Sequence, residues 1–333
     1  MIVAYNQRQK YILAKDGQKD QSYFCPGCRE PVMLKVGDVK QKHFAHYSGT
    51  LCQTLTENET TAHLSGKMQL AQYLQQFGHV EIEAVIASIQ QRPDILLTRG
   101  KQKLAIEYQC SPISQKRLMK RNAGYQSCQI KVLCILGETY YNRNLSQKTI
   151  LKFMTARQLV FYLSNDKTFV HRHHFIKADF SRVKYTEKRH RDLFIKSLQL
   201  PTYQLDVNKQ RYKVHSLLMQ QRVDKFLINH LYQHNRRLPD APEWIFQGCT
   251  FGLNIANWHF RLLVVLLLEK IGLQHVIKKQ KLSQILLQYF LGDDDFKIVQ
   301  LQQIFSSLEK QNFILQQGGY ILIRRLPKWL NAK

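Results

Sequence analysis

The chain of 333 residues is 44% apolar and carries 49 Lys plus Arg against 24 Asp plus Glu, a formal charge of +25. That apolar content suits two or three folded domains and argues against extended disorder, while the surplus of positive charge calls for a polyanionic partner, nucleic acid first. The longest apolar run, Leu262 to Leu268, is too short to span a bilayer, and "MIVAYNQRQKY" lacks the order of a secretory signal, so a soluble cytoplasmic protein is expected.

Residues 1–55 read as a small β-rich module: "VAY", "YILA", an Asp16-Gly17 turn and a second hairpin turning at Gly37-Asp38. Within it "CPGC" and "HFAHYSGTLC" offer Cys25, Cys28, His43, His46 and Cys52, five donors for the four tetrahedral positions of a structural zinc ion. In a reducing compartment a Cys-x2-Cys pair points to metal before disulfide. If 42–47 is extended, Phe44 and His46 share a face and His43 points away. That favours Cys25, Cys28, His46 and Cys52, with His43 as the competitor; a metal-free cluster that merely packs is the alternative. Cys110, Cys128, Cys134 and Cys249 adjoin apolar residues and are expected to act as packing groups.

Residues 56–150 predict one mixed-sheet α/β domain. A helix over 57–77 opens on the capping box Thr56-x-x-Glu59, buries Leu64, Met68, Ala71 and Leu74, and stops at Gly78. Glu59, His63 and Lys67 form a polar stripe beside that face, either a solvated surface or part of a site. Strands follow at 80–87, 93–98 and 103–110, then a helix capped at Ser111 or Ser114 and the strand "IKVLCIL" at 130–136.

Acids gather on these strands. Alternation over 103–110 puts Leu104, Ile106, Tyr108 and Cys110 on one face and Ala105, Glu107 and Gln109 on the other; over 80–87 it groups Glu81 with Glu83. With Asp94 at the start of the neighbouring strand, three or four carboxyl or amide groups converge, an arrangement that needs a cation, and hard oxygens favour Mg2+ or Mn2+. Such a centre hydrolyses phosphodiesters. Where the most familiar sheet of this kind carries a lysine two residues after its Glu, this chain has Gln109, which cannot take up a proton. Lys67 is a candidate for the missing charge. Downstream, Lys116, Arg117, Lys120, Arg121 and Tyr125 mark a basic helix suited to a phosphate track, or a plain solvated face.

From 151 to 333 the pattern reads as a basic helical region, with "FVHRHHFIKADFSRVKYTEKRHRD" as a connecting segment and "KVHSLLMQQRVDKFLINHLYQHN" as one of its helices. "EWIFQG" presents Trp244 as an exposed contact. Residues 280–327 read as helix, helix, strand, Gly318-Gly319 turn and strand, the order of a winged helix or of a helical cap ending in a hairpin.

"RPDILL", "LAIEYQCSPIS", "TTAHLSGKMQL" and "FCPGC…HFAH" together resemble the CoiA family of competence proteins, most specifically over the first 140 residues or so. The resemblance implies a restriction-endonuclease-like core of the PD-(D/E)xK class with a Glu-x-Gln third motif behind a zinc-binding-like module. It also implies a cytosolic role in natural transformation, on incoming single-stranded or branched DNA, near the recombinase and other transformation proteins. Carried over, Asp94 and Glu107 are metal ligands, Gln109 stands at the lysine position, Glu83 is the additional acid with Glu81 second, and His63 and Lys67 match the preceding helix. Two functions follow: a divalent-metal DNA nuclease, or a DNA-binding recombination accessory that uses the same fold without cutting. A transcription regulator is the distant third.

Overall fold

A computed structural model of the chain describes residues 1–37, 42–50, 52, 60–194, 203 and 205–330. The chain divides into two compact units: Met1–Asn144, Phe153–His173 and Glu187–Leu198 form the first, and Leu145–Lys152, His174–Thr186 and Gln199–Lys333 the second.

The first unit begins with β1 (Val3–Asn6), β2 (Tyr11–Leu13), β3 (Tyr23–Phe24), β4 (Pro31–Lys35) and β5 (His43–His46). They make an antiparallel sheet in the order β2-β1-β3-β4-β5, whose inner face buries Ala4, Tyr23, Val32 and Phe44. Asp38, expected in the second hairpin turn, lies outside the described residues.

Helix α1 (Thr61–Leu74) is followed by β6 (His79–Ile82), β7 (Ile95–Arg99), β8 (Gln102–Gln109), α2 (Gln115–Ser127), β9 (Lys131–Leu136), α3 (Glu138–Tyr141), α4 (Gln147–Phe153), β10 (Gln158–Leu163), β11 (Thr168–Ile176) and β12 (Lys184–His190). The strands form a mixed sheet in the order β12-β11-β10-β9-β8-β7-β6, with β8, β9 and β10 parallel. One face packs Leu70, Ala71 and Leu74 of α1 against Ile95, Ile106 and Tyr108, and the other packs Tyr125 of α2 against Leu96 and Ala105. Alternation in β8 thus runs as its sequence predicts. Thr56 and Glu59 of the expected capping box lie outside the described residues, and the hydroxyl of Thr60 caps α1 by accepting from the His63 amide.

Between residues 158 and 190 the helical expectation fails, while from Val207 on it holds. Residues 158–190 hold three strands that carry the sheet beyond the expected boundary. "QLVFYL" is a continuous apolar run because β10 is buried on both faces, and the His and Arg content of β11 disguises an equally buried strand.

The second unit contains α5 (Val207–Met219), α6 (Lys225–Gln233), α7 (Glu243–Phe246), α8 (Asn257–Ile271), β13 (Val276–Lys278), α9 (Lys279–Leu287), α10 (Asp294–Lys310), β14 (Ile314–Gln317) and β15 (Tyr320–Ile323). The helix expected across 213–235 is two, interrupted at Gln221 in the left-handed region and restarted by the Asp224 cap. Trp244, expected to be exposed, is buried in a core with Phe260, Val265 and Phe305, and its indole N–H donates to Ser307. The last three strands pair in the order β13-β15-β14. Among the described residues no helix is long and apolar enough to cross a membrane.

Candidate active site

Three acids occupy one row across the sheet. Pairing of Ile82 with Ile95 and of Ile95 with Ile106 sets a register whose next step brings Glu83 to Asp94 and Asp94 to Glu107, and the Glu83 amide donates to the Asp94 carbonyl at 3.0 Å. Glu107 lies opposite Cys134 on β9.

The two ends of the row differ. Glu83 has a φ of +54°, which ends β6 and turns its side chain inward, whereas Glu81 stays in the strand and exposed. The expected pairing of the two on one face is therefore wrong: a left-handed residue breaks the alternation. Buried Glu83 accepts from the amides of Ile2 and Val3 at 3.0 and 3.4 Å, from the Lys67 ammonium at 2.7 Å, and lies 3.8 Å from Arg92. In this arrangement its oxygens join the start of the N-terminal strand to these cations, which makes it an anchor for the first module.

Asp94 stands at the mouth of β7. Its Oδ1 lies 3.1 Å from Lys67, while Oδ2 accepts from the Tyr108 amide at 2.9 Å and sits 3.3 Å from His63 Nε2. His63 stacks parallel to the Tyr108 ring. Helix α1 can deliver Lys67 this deeply because Gly66 lies against Tyr108; a Cβ there would meet the ring at 2.3 Å. The stripe of His63 and Lys67 is thus turned into the site instead of to solvent.

Glu107 is held by α2. Its Oε1 accepts from Tyr125 at 2.6 Å and its Oε2 pairs with Arg121 at 3.0 Å. Arg121 also donates to the Gln109 carbonyl oxygen at 3.4 Å, and the Gln109 amide nitrogen donates to the Ser111 carbonyl. Burial is the largest single influence on Arg121 and opposes its charge, but Glu107, Cys134, Tyr125 and Asp94 together hold the guanidinium pKa above its ordinary value. Burial first, then Glu107, pushes the Tyr125 hydroxyl up. Arg121 and Tyr125 therefore do not lie on the outward phosphate track, because the buried carboxylate draws both inward; Lys116 and Lys120 stay exposed and Arg117 half-buried. Sequence reasoning missed Arg92 and the inward turn of Arg121. The first could have been suspected from its place two residues before Asp94.

Mg2+ or Mn2+ sites are made from one or two carboxylates plus substrate phosphate oxygens. Asp94 and Glu107, opposed in register on adjacent strands, fit that donor set, and Gln109 adds a carbonyl oxygen on the same face. Of the acids expected to converge here, Glu83 stays beside Asp94 through Lys67, and Glu81 lies apart on the exposed side of β6.

The N-terminal module carries a second cluster. Sulfur and nitrogen atoms of Cys25, Cys28, His46 and Cys52 lie within 4.8 Å of one another, with Cys25 to Cys52 at 4.0 Å and Cys28 to His46 at 3.3 Å. The edges of a tetrahedral zinc site with thiolate and imidazole ligands are about 3.6–3.8 Å long, so the four donors fit such an ion with small adjustments. Phe44 is buried between the histidines in sequence, and the cluster takes His46, not His43. Burial pushes the Cys28 thiol up to about 12 and lowers the pKa of His46, as expected for ligands gathered without their cation.

Two family models match this chain. One described as "Competence protein CoiA, nuclease-like domain" covers residues 59–205, and one described as "Competence protein CoiA, N-terminal domain" covers residues 5–55. The chain belongs to the CoiA family. The Competence protein CoiA of Bacillus subtilis (strain 168) is 32% identical over 167 residues, which is 47% of this chain and 45% of that protein. The match thus spans about half the length of that curated relative. No solved structure matches the chain. In this CoiA-family member the nuclease-like match takes in β10, β11 and β12, in keeping with a sheet that continues past residue 150.

Proposed function

We propose that the chain is a DNA-processing protein of natural transformation whose α/β unit hydrolyses phosphodiesters with Mg2+ or Mn2+. The observation that carries this reading is the opposition of Asp94 and Glu107 across β7 and β8, with Lys67 and Arg121 at their backs. Asp94 and Glu107 are the residues that would hold the metal, whose chemistry there would be to polarise the scissile phosphate and to make a water more acidic. Lys67 holds Asp94 in place and brings positive charge to a site that must receive an anionic backbone. His63, on Asp94 Oδ2, carries an imidazole able to accept or donate a proton, a task Gln109 cannot perform. Tyr125 and Arg121 fix Glu107, Gln109 steadies Arg121, and Arg121 can face the phosphate. The +25 surplus draws the polymer in.

The partners proposed are single-stranded or branched DNA and, through the competence family, the recombinase. A structural zinc held by Cys25, Cys28, His46 and Cys52 would rigidify the first module, too small to rely on its own core. For 280–327, the order α9, α10, β14, β15 after β13 supports a winged helix, although Asp293, Asp294 and Asp295 at the start of α10 oppose insertion of that end into a groove.

The second reading, binding without cleavage, rests on the same pair: Arg121 already neutralises Glu107. Cleavage of single-stranded, forked and duplex DNA with Mn2+, by the full chain and its Asp94→Ala and Glu107→Ala variants, decides between them. The nuclease reading expects cleavage that both substitutions abolish; cleavage surviving in both removes it. Salt-sensitive binding without any cleavage leaves the accessory role.

A further inference from the structure

The sheet of the N-terminal module has a second face that the candidate active site does not use. Register pairs Tyr5 with Tyr11 and Tyr5 with Phe24, and Phe24 with Pro31, so three aromatic rings line up across β2, β1 and β3 with Pro31 at the end on β4, on the side opposite buried Ala4, Tyr23 and Val32. The Tyr5 and Tyr11 rings have centroids 4.4 Å apart, and Tyr11 is 47% exposed. The Arg29 guanidinium lies 4.2 Å from the Tyr5 ring centroid. Arg29 reaches that position because the turn at Cys25-Pro26-Gly27-Cys28 closes with the Arg29 amide on the Cys25 carbonyl and Arg29 at a φ of +65°. Exposed Arg8 and Lys10 occupy the β1–β2 turn beside the row. Exposed Glu81 also acts on the Tyr11 hydroxyl, so the three basic residues set the sign of this face.

Aromatic rings on a sheet, exposed at Tyr11 and half-buried at Tyr5 and Phe24, interleaved with basic side chains, match the chemistry of a single strand: bases stack on the rings and phosphates meet the cations. A duplex, whose bases are already stacked, gains nothing from the row. Val3, the first residue of β1 and two before Tyr5, donates its amide to Glu83, as does Ile2 just ahead of the strand, so the row is mounted on an element pinned to the candidate site.

We propose that Tyr11, Tyr5 and Phe24, with Arg29, Arg8 and Lys10, form a stacking platform for single-stranded nucleic acid. It rests on the nucleic-acid reading above but not on hydrolysis. The test is fluorescence anisotropy of labelled oligothymidylate with the full chain, without added divalent metal. Because Tyr11 and Arg29 are exposed, their variants fold, which unchanged thermal melting verifies. Tyr11→Ala should weaken binding about ten-fold, the effect of losing one stacked base, Arg29→Ala should weaken it and lower its salt dependence through the lost phosphate contact, and Tyr11→Phe retains affinity. Asp94→Ala should bind as the parent does. Parental affinity in both Tyr11→Ala and Arg29→Ala overturns the platform and leaves the active-site reading intact. Absence of cleavage, with binding still dependent on Tyr11, removes hydrolysis and leaves the platform. A Tyr11→Ala effect confined to self-association in sedimentation would assign the face to a second copy of the chain and overturn the proposal.

Discussion

Lys67, buried completely, bridges two carboxylates, with its ammonium 2.7 Å from Glu83 Oε1 and 3.1 Å from Asp94 Oδ1. Glu83 in turn binds the first strand of the N-terminal module, so one lysine connects α1, the acidic row and the chain terminus.

Breaking this bridge from one side leaves a buried charge uncompensated. Lys67→Met should lower stability by about 3–5 kcal/mol, measured by urea denaturation. Adding Glu83→Gln should recover part of that loss, since the two residues form one interacting pair; strict additivity of the two changes would contradict the bridge.

Arg121 occupies the side of Glu107 from which a metal ion would also draw charge. Arg121→Ala should destabilise the metal-free protein, and Mn2+ should then raise its melting temperature by more than it raises that of the parent. Equal shifts would mean that arginine and metal do not share Glu107.

The zinc cluster gives a pH signature with a definite sign. In the metal-free protein Cys28 stays protonated up to about pH 12, against an ordinary thiol value of 9.0 in the unfolded chain. Between those limits only the unfolded state ionises, so this thiol's stabilisation is present below pH 9 and is lost as pH rises towards 12. Thermal melting of metal-free protein should show that decline, reduced in Cys28→Ala. With zinc bound the decline should vanish, and zinc uptake should release protons.

Much of this arrangement is legible in the chain itself. Period-two alternation places Glu107 and Gln109 on one face, and the extended "HFAH" segment selects His46 over His43 for the metal cluster. Glu83 is different: nothing in "VEIEAVI" announces that it leaves the strand at positive φ, because the amides of Ile2 and Val3 and the ammonium of Lys67 that reward the turn come from elsewhere in the chain. The same holds for Arg121 and Tyr125. Their spacing fits an outward basic track as well as an inward clasp, and only burial of Glu107 beneath α2 decides. Strand β10 and most of β11 escape for another reason, since a run buried on both faces has no alternation to read, while β12 is a largely exposed strand rich in charged residues.

The central claim is that Asp94 and Glu107 together hold a divalent metal. Crystals soaked in Mn2+ and measured at an anomalous wavelength test it most directly. The expected result is a peak bridging the two carboxylates, with the Arg121 guanidinium displaced from Glu107 Oε2 or sharing that oxygen. A map in which Arg121 and Lys67 keep their present partners and no Mn2+ lies between Asp94 and Glu107 would contradict it.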